Sequence, residues 1–151
     1  MTALRTVQEL CNTKAPIIMG IINATPDSFY DSGLSLQEDY LRSQIEHCNT
    51  YQVGIIDIGA ESTRPGATPI SAAEEVDRLT PVLNMVQDTT TSLISVDTYK
   101  PEVAEFALKN GAHIINDISG GDSAELLAIV ATYNAGIVLM HKQGSPTAMQ
   151  D

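Results

Sequence analysis

Five short apolar segments, each rich in isoleucine and valine, constrain the fold of this chain more than any other feature. Most of the runs are unbroken rather than alternating, as expected for parallel strands that are buried on both faces. The sequence therefore predicts a parallel sheet of five strands. Their predicted ranges are Ile17–Ile22, Val53–Ile58, Leu93–Val96, His113–Ile118 and Gly136–Met140.

The segments between these runs carry the start and stop signals of helices. Ser35–Glu38 and Ser71–Glu74 both match the capping box, in which a serine and a glutamate satisfy the free amides of a helix start. Pro101 suits the first position of a third helix, and Asn110-Gly111 suits its end. We therefore expect a helix after each of the first three strands.

A further helix is predicted from Ala124 to about Tyr133, with Asp122 and Ser123 competing for its capping position. Strands and helices thus alternate as β-α-β-α-β-α-β-α-β, the order of parallel strands joined by right-handed crossovers. No repeat, low-complexity segment or linker interrupts the pattern. We expect residues 1–151 to form a single domain, with residues 1–15 as a leader segment before the first strand.

Composition and charge argue against several classes of function. The 151 residues contain 8 Lys and Arg against 19 Asp and Glu, a net charge of −11, whereas a general nucleic-acid binder needs a cationic face. No apolar run approaches the roughly 20 residues of a membrane span, and the N-terminus lacks the apolar core of a secretion signal. The two cysteines form no CxxC pair, which fits a reducing compartment. We therefore expect a cytoplasmic protein that binds neither nucleic acid nor membrane.

Most polar residues capable of chemistry lie at the carboxyl ends of the predicted strands. In parallel α/β folds, ligands bind at this edge, in closed barrels and in doubly wound sheets alike. The sequence therefore predicts a binding site there. The polar groups that follow the five strands are Asn23–Phe29, Asp57–Gly66, Asp97-Thr98, Asn116–Gly121 and His141–Gly144.

Asp97 and Asn116 each allow two interpretations. As strand-end residues they could cap the turns that follow. Alternatively they bind a heterocycle, because a carboxylate accepts from an amino group and a ring N–H together, while an amide offers both a donor and an acceptor. Asn23 likewise suits either an Asx turn or a Mg²⁺ ligand. The stretch Ser119–Gly121 is too short for a dinucleotide fingerprint and indicates a tight turn.

The residues after the second strand also have alternatives. Asp57 and Glu61 could be buried supporting acceptors or an acid–base pair, and the sequence does not choose between them. Thr63 and Arg64 suit phosphate oxygens, although an arginine in a loop is often only solvated. His141 is typical of a structural or substrate-adjacent residue.

Two signature stretches give the chain a family resemblance. MGIINATPDSFYDSG (Met19–Gly33) and DIGAESTRPGA (Asp57–Ala67) resemble those of the dihydropteroate synthase family. Related pterin-binding methyltransferases share the barrel and a similar Asp and Asn, but the ESTRPG motif favours the synthase. The resemblance covers nearly all of residues 16–151. Three further blocks follow in the family's order: Ser95–Leu108, Gly111–Gly121 and Ile137–Gln150.

The resemblance implies an α/β fold of the (β/α)8 TIM-barrel family, here a partial barrel with the first five strands and about four helices. It also implies an enzyme of folate biosynthesis that joins 4-aminobenzoate to (7,8-dihydropterin-6-yl)methyl diphosphate and releases diphosphate with Mg²⁺. The family's later blocks, which carry further pterin and diphosphate ligands, have no counterpart here. We therefore expect a truncated chain that is not competent alone.

Three alternatives are open to the sequence. The first is a non-catalytic pterin-binding or interaction module, a homo-oligomer that self-associates across its open sheet edges. The second is a pterin-binding methyltransferase relative. The third is an unrelated flavodoxin-like or Rossmann domain, which would make the order of the motifs coincidental.

Position by position, the resemblance also implies roles for individual residues. Asn23 matches a metal ligand, and Asp31 and Arg64 match catalytic residues on the first and second loops. The residues that match the aminobenzoate side of the family's site are Phe29, Arg64 and Pro65. The residues that match pterin diphosphate contacts are Thr63, Asp97, Asn116, Ile118 and Met140.

Overall fold

Five parallel strands form one sheet in the computed structural model, which describes residues 6–24, 34–62 and 68–141. The strands pair in the order β1-β2-β3-β4-β5. A doubly wound sheet reverses its strand order at a switch point, so this sequential order excludes the Rossmann and flavodoxin alternatives and matches an arc of a singly wound barrel. The strands are β1 (Met19–Asn23), β2 (Ile55–Gly59), β3 (Leu93–Asp97), β4 (Ile114–Asp117) and β5 (Gly136–Leu139).

Four helices follow β1 to β4, as the sequence predicts, and one further helix precedes them. The additional helix, α1, lies within the segment expected to be only a leader. Thr6 caps it, since the Thr6 hydroxyl accepts a hydrogen bond from the Glu9 amide at 3.1 Å. The helices are α1 (Val7–Asn12), α2 (Leu34–Thr50), α3 (Ala72–Thr89), α4 (Pro101–Lys109) and α5 (Ala124–Thr132).

The two predicted capping boxes have different outcomes. Ser71 caps α3, because its Oγ accepts from the Glu74 amide at 3.2 Å, while the Glu74 carboxylate pairs with Arg78 at 2.6 Å. The cap predicted at Ser35 is wrong. The backbone is already helical at Leu34, so Ser35 lies inside the helix, whereas a capping residue has extended backbone.

The signals at the ends of α4 and α5 are confirmed. Pro101 is the first residue of α4, and Asn110 caps its end before Gly111, which has a φ of +88°. Of the two candidate caps for α5, the structure uses Ser123, whose Oγ accepts from the Leu126 amide at 3.2 Å.

The outer face of the sheet packs against the helices and forms the main core. Alternate strand residues point to this face, and helix residues such as Leu79 and Val103, both 0% exposed, cover them. The inner face is therefore left to form the site. The buried strand residues of the outer face are Ile22, Ile56, Ile58, Ile94, Val96 and Ile115.

Helix α1 packs against the inner face at the amino ends of the strands. Val7 and Leu10 of this helix, together with Ile17 and Met19, contact a separate buried cluster on β2, β3 and β4. The inner face is thus apolar and covered at this end, and its polar residues lie at the opposite, carboxyl end. The cluster consists of Ile55, Leu93 and Ile114.

The edge strands of the sheet expose apolar side chains. Ile21 of β1 is 65% exposed, and Val138 and Leu139 of β5 are 41% and 48% exposed. Such side chains on an open edge favour association with further strands. In the part of the chain that the structure describes, no helix combines the length and the apolar character needed to span a membrane.

A close contact between β1 and α2 gives a first testable prediction. A Cβ at Gly20 would lie 2.7 Å from Cys48 Sγ, so we expect Gly20→Ala to destabilise the chain by about 1–2 kcal/mol. In a Cys48→Ala background the same substitution should cost less, because the sulfur that it meets is gone. Urea unfolding of the unaltered chain, the two single variants and the double variant measures this difference. An equal cost in both backgrounds would show that the contact is not the cause.

Candidate functional site

The register of the parallel strands brings predicted site residues into one row across the sheet. Asn23 is paired with Gly59, Gly59 with Asp97, and Asp97 with Asn116. Because paired positions of neighbouring strands face the same side of a sheet, these residues share the inner face at its carboxyl end. The sequence prediction that Asn23, Asp97 and Asn116 meet at one edge is confirmed.

Gly59 keeps space open between two of these side chains. A Cβ at this position would lie 3.7 Å from Asn23 Oδ1 and also 3.7 Å from Asp97 Oδ2. Any longer side chain would enter the space between the two oxygens. The glycine therefore leaves both of them open to one ligand.

Asp57 lies one row further toward the amino end and holds the Asn116 amide. Asn116 Nδ2 donates to Asp57 Oδ2 at 3.1 Å, and Asp57 is 4% exposed. This contact orients the amide, because its nitrogen rather than its oxygen faces the carboxylate. Of the two interpretations of Asp57, the structure thus favours the supporting acceptor.

Three buried side-chain atoms of β2 and β3 have no hydrogen-bond partner among the described residues. They are Asp57 Oδ1, Ser95 Oγ and Asp97 Oδ1, and all three residues belong to the two inner-face rows. A buried polar atom without a partner costs about 1–3 kcal/mol. Such a concentration of free acceptors is expected where a bound ligand supplies the donors.

The electrostatic environment of Asp97 is unusual for a carboxyl group. Burial raises the pKa of Asp97 to about 7, and the negative charges of Asp57, Glu75, Glu61 and Asp117 add to this increase. Asp97 therefore titrates near neutral pH. It can present two acceptors when charged, or an O–H donor when protonated.

Asp117 organises the turn after β4. Its two carboxylate oxygens accept from the amides of Ser119 at 2.7 Å and Gly121 at 2.8 Å. Gly120 and Gly121 have φ values of +75° and +90°, which glycine adopts without strain. The tight turn predicted for Ser119–Gly121 is confirmed. The sequence analysis included Asp117 among the polar groups of this edge but gave it no role, although an aspartate two residues before a serine and two glycines is an Asx-turn signal.

The structure describes only part of the predicted set. Ile118 and Met140 directly follow β4 and β5 and are half-buried, and the Met140 amide donates to the Asp117 carbonyl oxygen at 3.1 Å. His141 is exposed at the same edge. The predicted residues that lie outside the described ranges are Phe29, Asp31, Thr63, Arg64 and Pro65.

A buried ion cluster beside the site was missed by sequence reasoning. Lys100 Nζ lies 2.7 Å from Glu61 Oε2 and 2.5 Å from Glu75 Oε2, and the three side chains are 14%, 8% and 1% exposed. Burial alone would lower the pKa of Lys100, but hydrogen bonds to the two carboxylates outweigh burial and raise it. Glu75 lies four residues before the buried Leu79 on the apolar side of α3, and this spacing is the signal that could have revealed it.

The donor set of the row limits how a metal ion could bind. Among the described residues, no group of three or more His, Cys, Asp or Glu side chains is arranged for a metal. Asn23 offers one neutral oxygen at the end of β1. Because Mg²⁺ commonly takes one or two protein ligands and completes its shell with water and substrate phosphates, Asn23 fits an ion that arrives with a diphosphate.

Comparison with known proteins decides the family. The sequence profile described as "Pterin binding enzyme" matches residues 19–151, which is most of the chain. This chain belongs to the pterin-binding enzyme family. All four residues of the inner-face row (Asn23, Gly59, Asp97 and Asn116) fall inside the matched range.

Several members of the pterin-binding family that resemble this chain are dihydropteroate synthases. The enzyme of Streptococcus pyogenes serotype M1 is 44% identical over 127 residues, which are 83% of this chain and 48% of the relative. The structure of the Xanthomonas albilineans enzyme with 4-aminobenzoic acid has a TM-score of 0.74 and 38% identity, covering 87% of this chain and 49% of that one. The Burkholderia cenocepacia enzyme complexed with 7,8-dihydropteroate has a TM-score of 0.73 and 38% identity, covering 91% and 45%.

The chain spans about half the length of these three relatives. Together with the five sequential strands, this coverage confirms the predicted partial barrel. The resemblance to dihydropteroate synthase is confirmed by the same comparisons.

Proposed function

We propose that this pterin-binding chain provides the dihydropterin-binding part of a dihydropteroate synthase, which condenses 4-aminobenzoate with (7,8-dihydropterin-6-yl)methyl diphosphate and releases diphosphate. The observation that carries the proposal is the Asp97 carboxyl, which is paired with Asn116 in the register and whose buried Oδ1 has no hydrogen-bond partner among the residues that the structure describes. A pterin ring presents an amino group and a neighbouring ring N–H, and a carboxylate accepts from both.

The other polar groups of the inner face support this choice of ligand. The Asn116 amide, held by Asp57, would bind the mixed donors and acceptors of the ring. Ring N–H donors favour the charged form of Asp97, so binding would lower its raised pKa and release a proton near neutral pH. The acidic face would also stabilise the positive charge that develops on the pterin methylene as diphosphate leaves.

The remaining roles rest on the family resemblance. Asn23 would hold a bound Mg²⁺ through its amide oxygen, and the ion would supply positive charge for the departing diphosphate. Ile118 and Met140 would form apolar walls of the pterin pocket. Thr63 would contact the diphosphate, and the loop residues proposed to act on catalysis and on the aminobenzoate side are Phe29, Asp31, Arg64 and Pro65.

We infer a cytoplasmic location and small-molecule substrates from the same set of features. Cys11 and Cys48 are both free, the first exposed and the second buried, as expected in a reducing compartment. Self-association through the exposed edge residues Ile21 and Val138 remains a prediction that ultracentrifugation can check.

Two measurements on the purified chain test the proposed function. Calorimetry with 6-hydroxymethyl-7,8-dihydropterin and with its diphosphate measures binding, and chromatography of dihydropteroate measures turnover. Turnover is measured with the chain alone and after mixing it with the part of the Streptococcus pyogenes enzyme that follows the matched region. We expect binding by the chain and turnover only in the mixture.

The outcomes separate the alternatives. Absence of pterin binding would contradict the proposal. Binding without turnover in the mixture would instead favour a non-catalytic pterin-binding module.

Asn23→Ala tests the proposed metal ligand. We expect the Mg²⁺-dependent binding of the pterin diphosphate to weaken about tenfold, because one of the few protein ligands is lost. Binding of the hydroxymethyl pterin, which has no diphosphate, should change by less than about twofold, since no metal is involved. Calorimetry with and without Mg²⁺ measures both. Asn84→Ala, on the exposed side of α3, is the matched control, and an equal loss for both ligands would rule out the metal role.

A further inference from the structure

The Glu61 side chain connects the two ends of the segment that follows β2. Its Oε1 accepts a hydrogen bond from the Ile70 amide at 3.0 Å, and the Tyr99 hydroxyl donates to the same oxygen at 3.4 Å. The segment between residues 61 and 70 contains Thr63 and Arg64. A bond from residue 61 to residue 70 therefore fixes the distance between the two ends of this segment.

Lys100 holds Glu61 in this position. The ammonium of Lys100 donates to Glu61 Oε2 at 2.7 Å and to Glu75 Oε2 at 2.5 Å, and it lies 5.0 Å from the centroid of the Tyr99 ring. Glu75 is 1% exposed on the core side of α3, so a buried carboxylate of this helix holds the Lys100 ammonium. A continuous chain of contacts thus runs from α3 through Lys100 and Glu61 to the Ile70 amide.

We infer that Glu61 is a positioning residue, which Lys100 holds so that the segment between residues 61 and 70 begins and ends at fixed points beside the start of α4. Its effect on catalysis rests on the proposed function, because Thr63 and Arg64 act only if that function is correct. This interpretation differs from simple charge balance, in which Glu61 and Glu75 would be equivalent partners of Lys100.

Matched truncations of the two carboxylates separate these interpretations. Glu61→Ala and Glu75→Ala each leave Lys100 with one partner, but only Glu61 contacts Ile70. By hydrogen exchange, we expect the Ile70 amide to exchange about tenfold faster in Glu61→Ala and to stay within about twofold in Glu75→Ala. Glu61→Gln keeps an oxygen that can accept from Ile70 and should restore slow exchange. The Ile115 amide in β4 reports whether each variant is folded.

Activity provides a second readout. In the reconstituted assay, we expect Glu61→Ala to lower kcat about tenfold while the Kd for the pterin stays within about twofold, since Asp97 and Asn116 are untouched. Unchanged exchange at Ile70 in Glu61→Ala, or equal acceleration in both alanine variants, would overturn the inference. Absence of turnover in the unaltered protein would contradict the proposed function instead. In that case, hydrogen exchange at the Ile70 amide would by itself decide whether Glu61 is a positioning residue.

Discussion

Replacing Asp97 with asparagine is expected to weaken pterin binding about 100-fold, because a charge-assisted acceptor becomes an amide that places N–H groups against the N–H donors of the ligand. The same substitution should make the unliganded chain more stable above neutral pH. A loss of affinity coupled to a gain in stability is the signature of a buried charge kept for binding.

The gain in stability follows from the raised pKa of Asp97. The folded-state pKa is about 7 against an ordinary value of 3.8, so the folded protein loses stability as pH rises from the lower value, and the loss is complete above the higher one. The asparagine variant has no such charge to bury. Allowing for the solvent that reaches this edge, we expect the free energy of unfolding of the asparagine variant to exceed that of the unaltered protein by roughly 1–2 kcal/mol at pH 8. At pH 4 the two free energies should differ little.

Calorimetry with the hydroxymethyl dihydropterin and urea unfolding at the two pH values measure these effects. Asp88→Asn, on the exposed side of α3, makes the same chemical change away from the site and serves as the control. Unchanged pterin affinity in Asp97→Asn would refute the proposed role of this residue. A stability difference that does not depend on pH would refute its raised pKa.

Lys100→Met is expected to destabilise the chain by about 3 kcal/mol at pH 8, because it leaves two buried carboxylates without their cation. The side chains of Glu61 and Glu75 are 8% and 1% exposed, so solvent cannot replace the lost charge. Urea unfolding at pH 8 measures the change.

Lys109 provides the matched control for Lys100. It ends α4, and its ion pair with Glu105 at 2.8 Å is exposed, with the two side chains 56% and 46% accessible. Lys109→Met should therefore change stability little, since exposed ion pairs contribute weakly. Similar losses of stability in the two methionine variants would show that burial of the Lys100 cluster is not the cause of the destabilisation.

The sheet was predictable because its strands are encoded as continuous apolar runs, but their exact ends were not. Ile17 and Val53 belong to the predicted strands yet precede β1 and β2, where they pack into the two apolar clusters. Helix α1, with 6 residues, is too short to show a helical period in sequence. Its apolar residues gain their stability from contact with the inner face, which only the folded sheet provides.

In the candidate site, too, some features follow from the local sequence and others only from the tertiary structure. Asp97 and Asn116 could be placed because each ends an apolar run, and the parallel order brings such ends together. The hydrogen bond from Asn116 to Asp57 joins residues 59 positions apart, and Lys100 reaches Glu61 across 39 positions. These contacts depend on strand register and on the reach of long side chains, neither of which a sequence pattern specifies.

The sequential strand order also bears on how this chain folds while it is being synthesised. Each strand pairs with the one made just before it, so every new strand–helix unit meets an edge that has already left the ribosome. The sheet can therefore grow in one direction, from its N-terminal strand. The row from Asn23 through Gly59 and Asp97 to Asn116 would be complete as soon as β4 has docked.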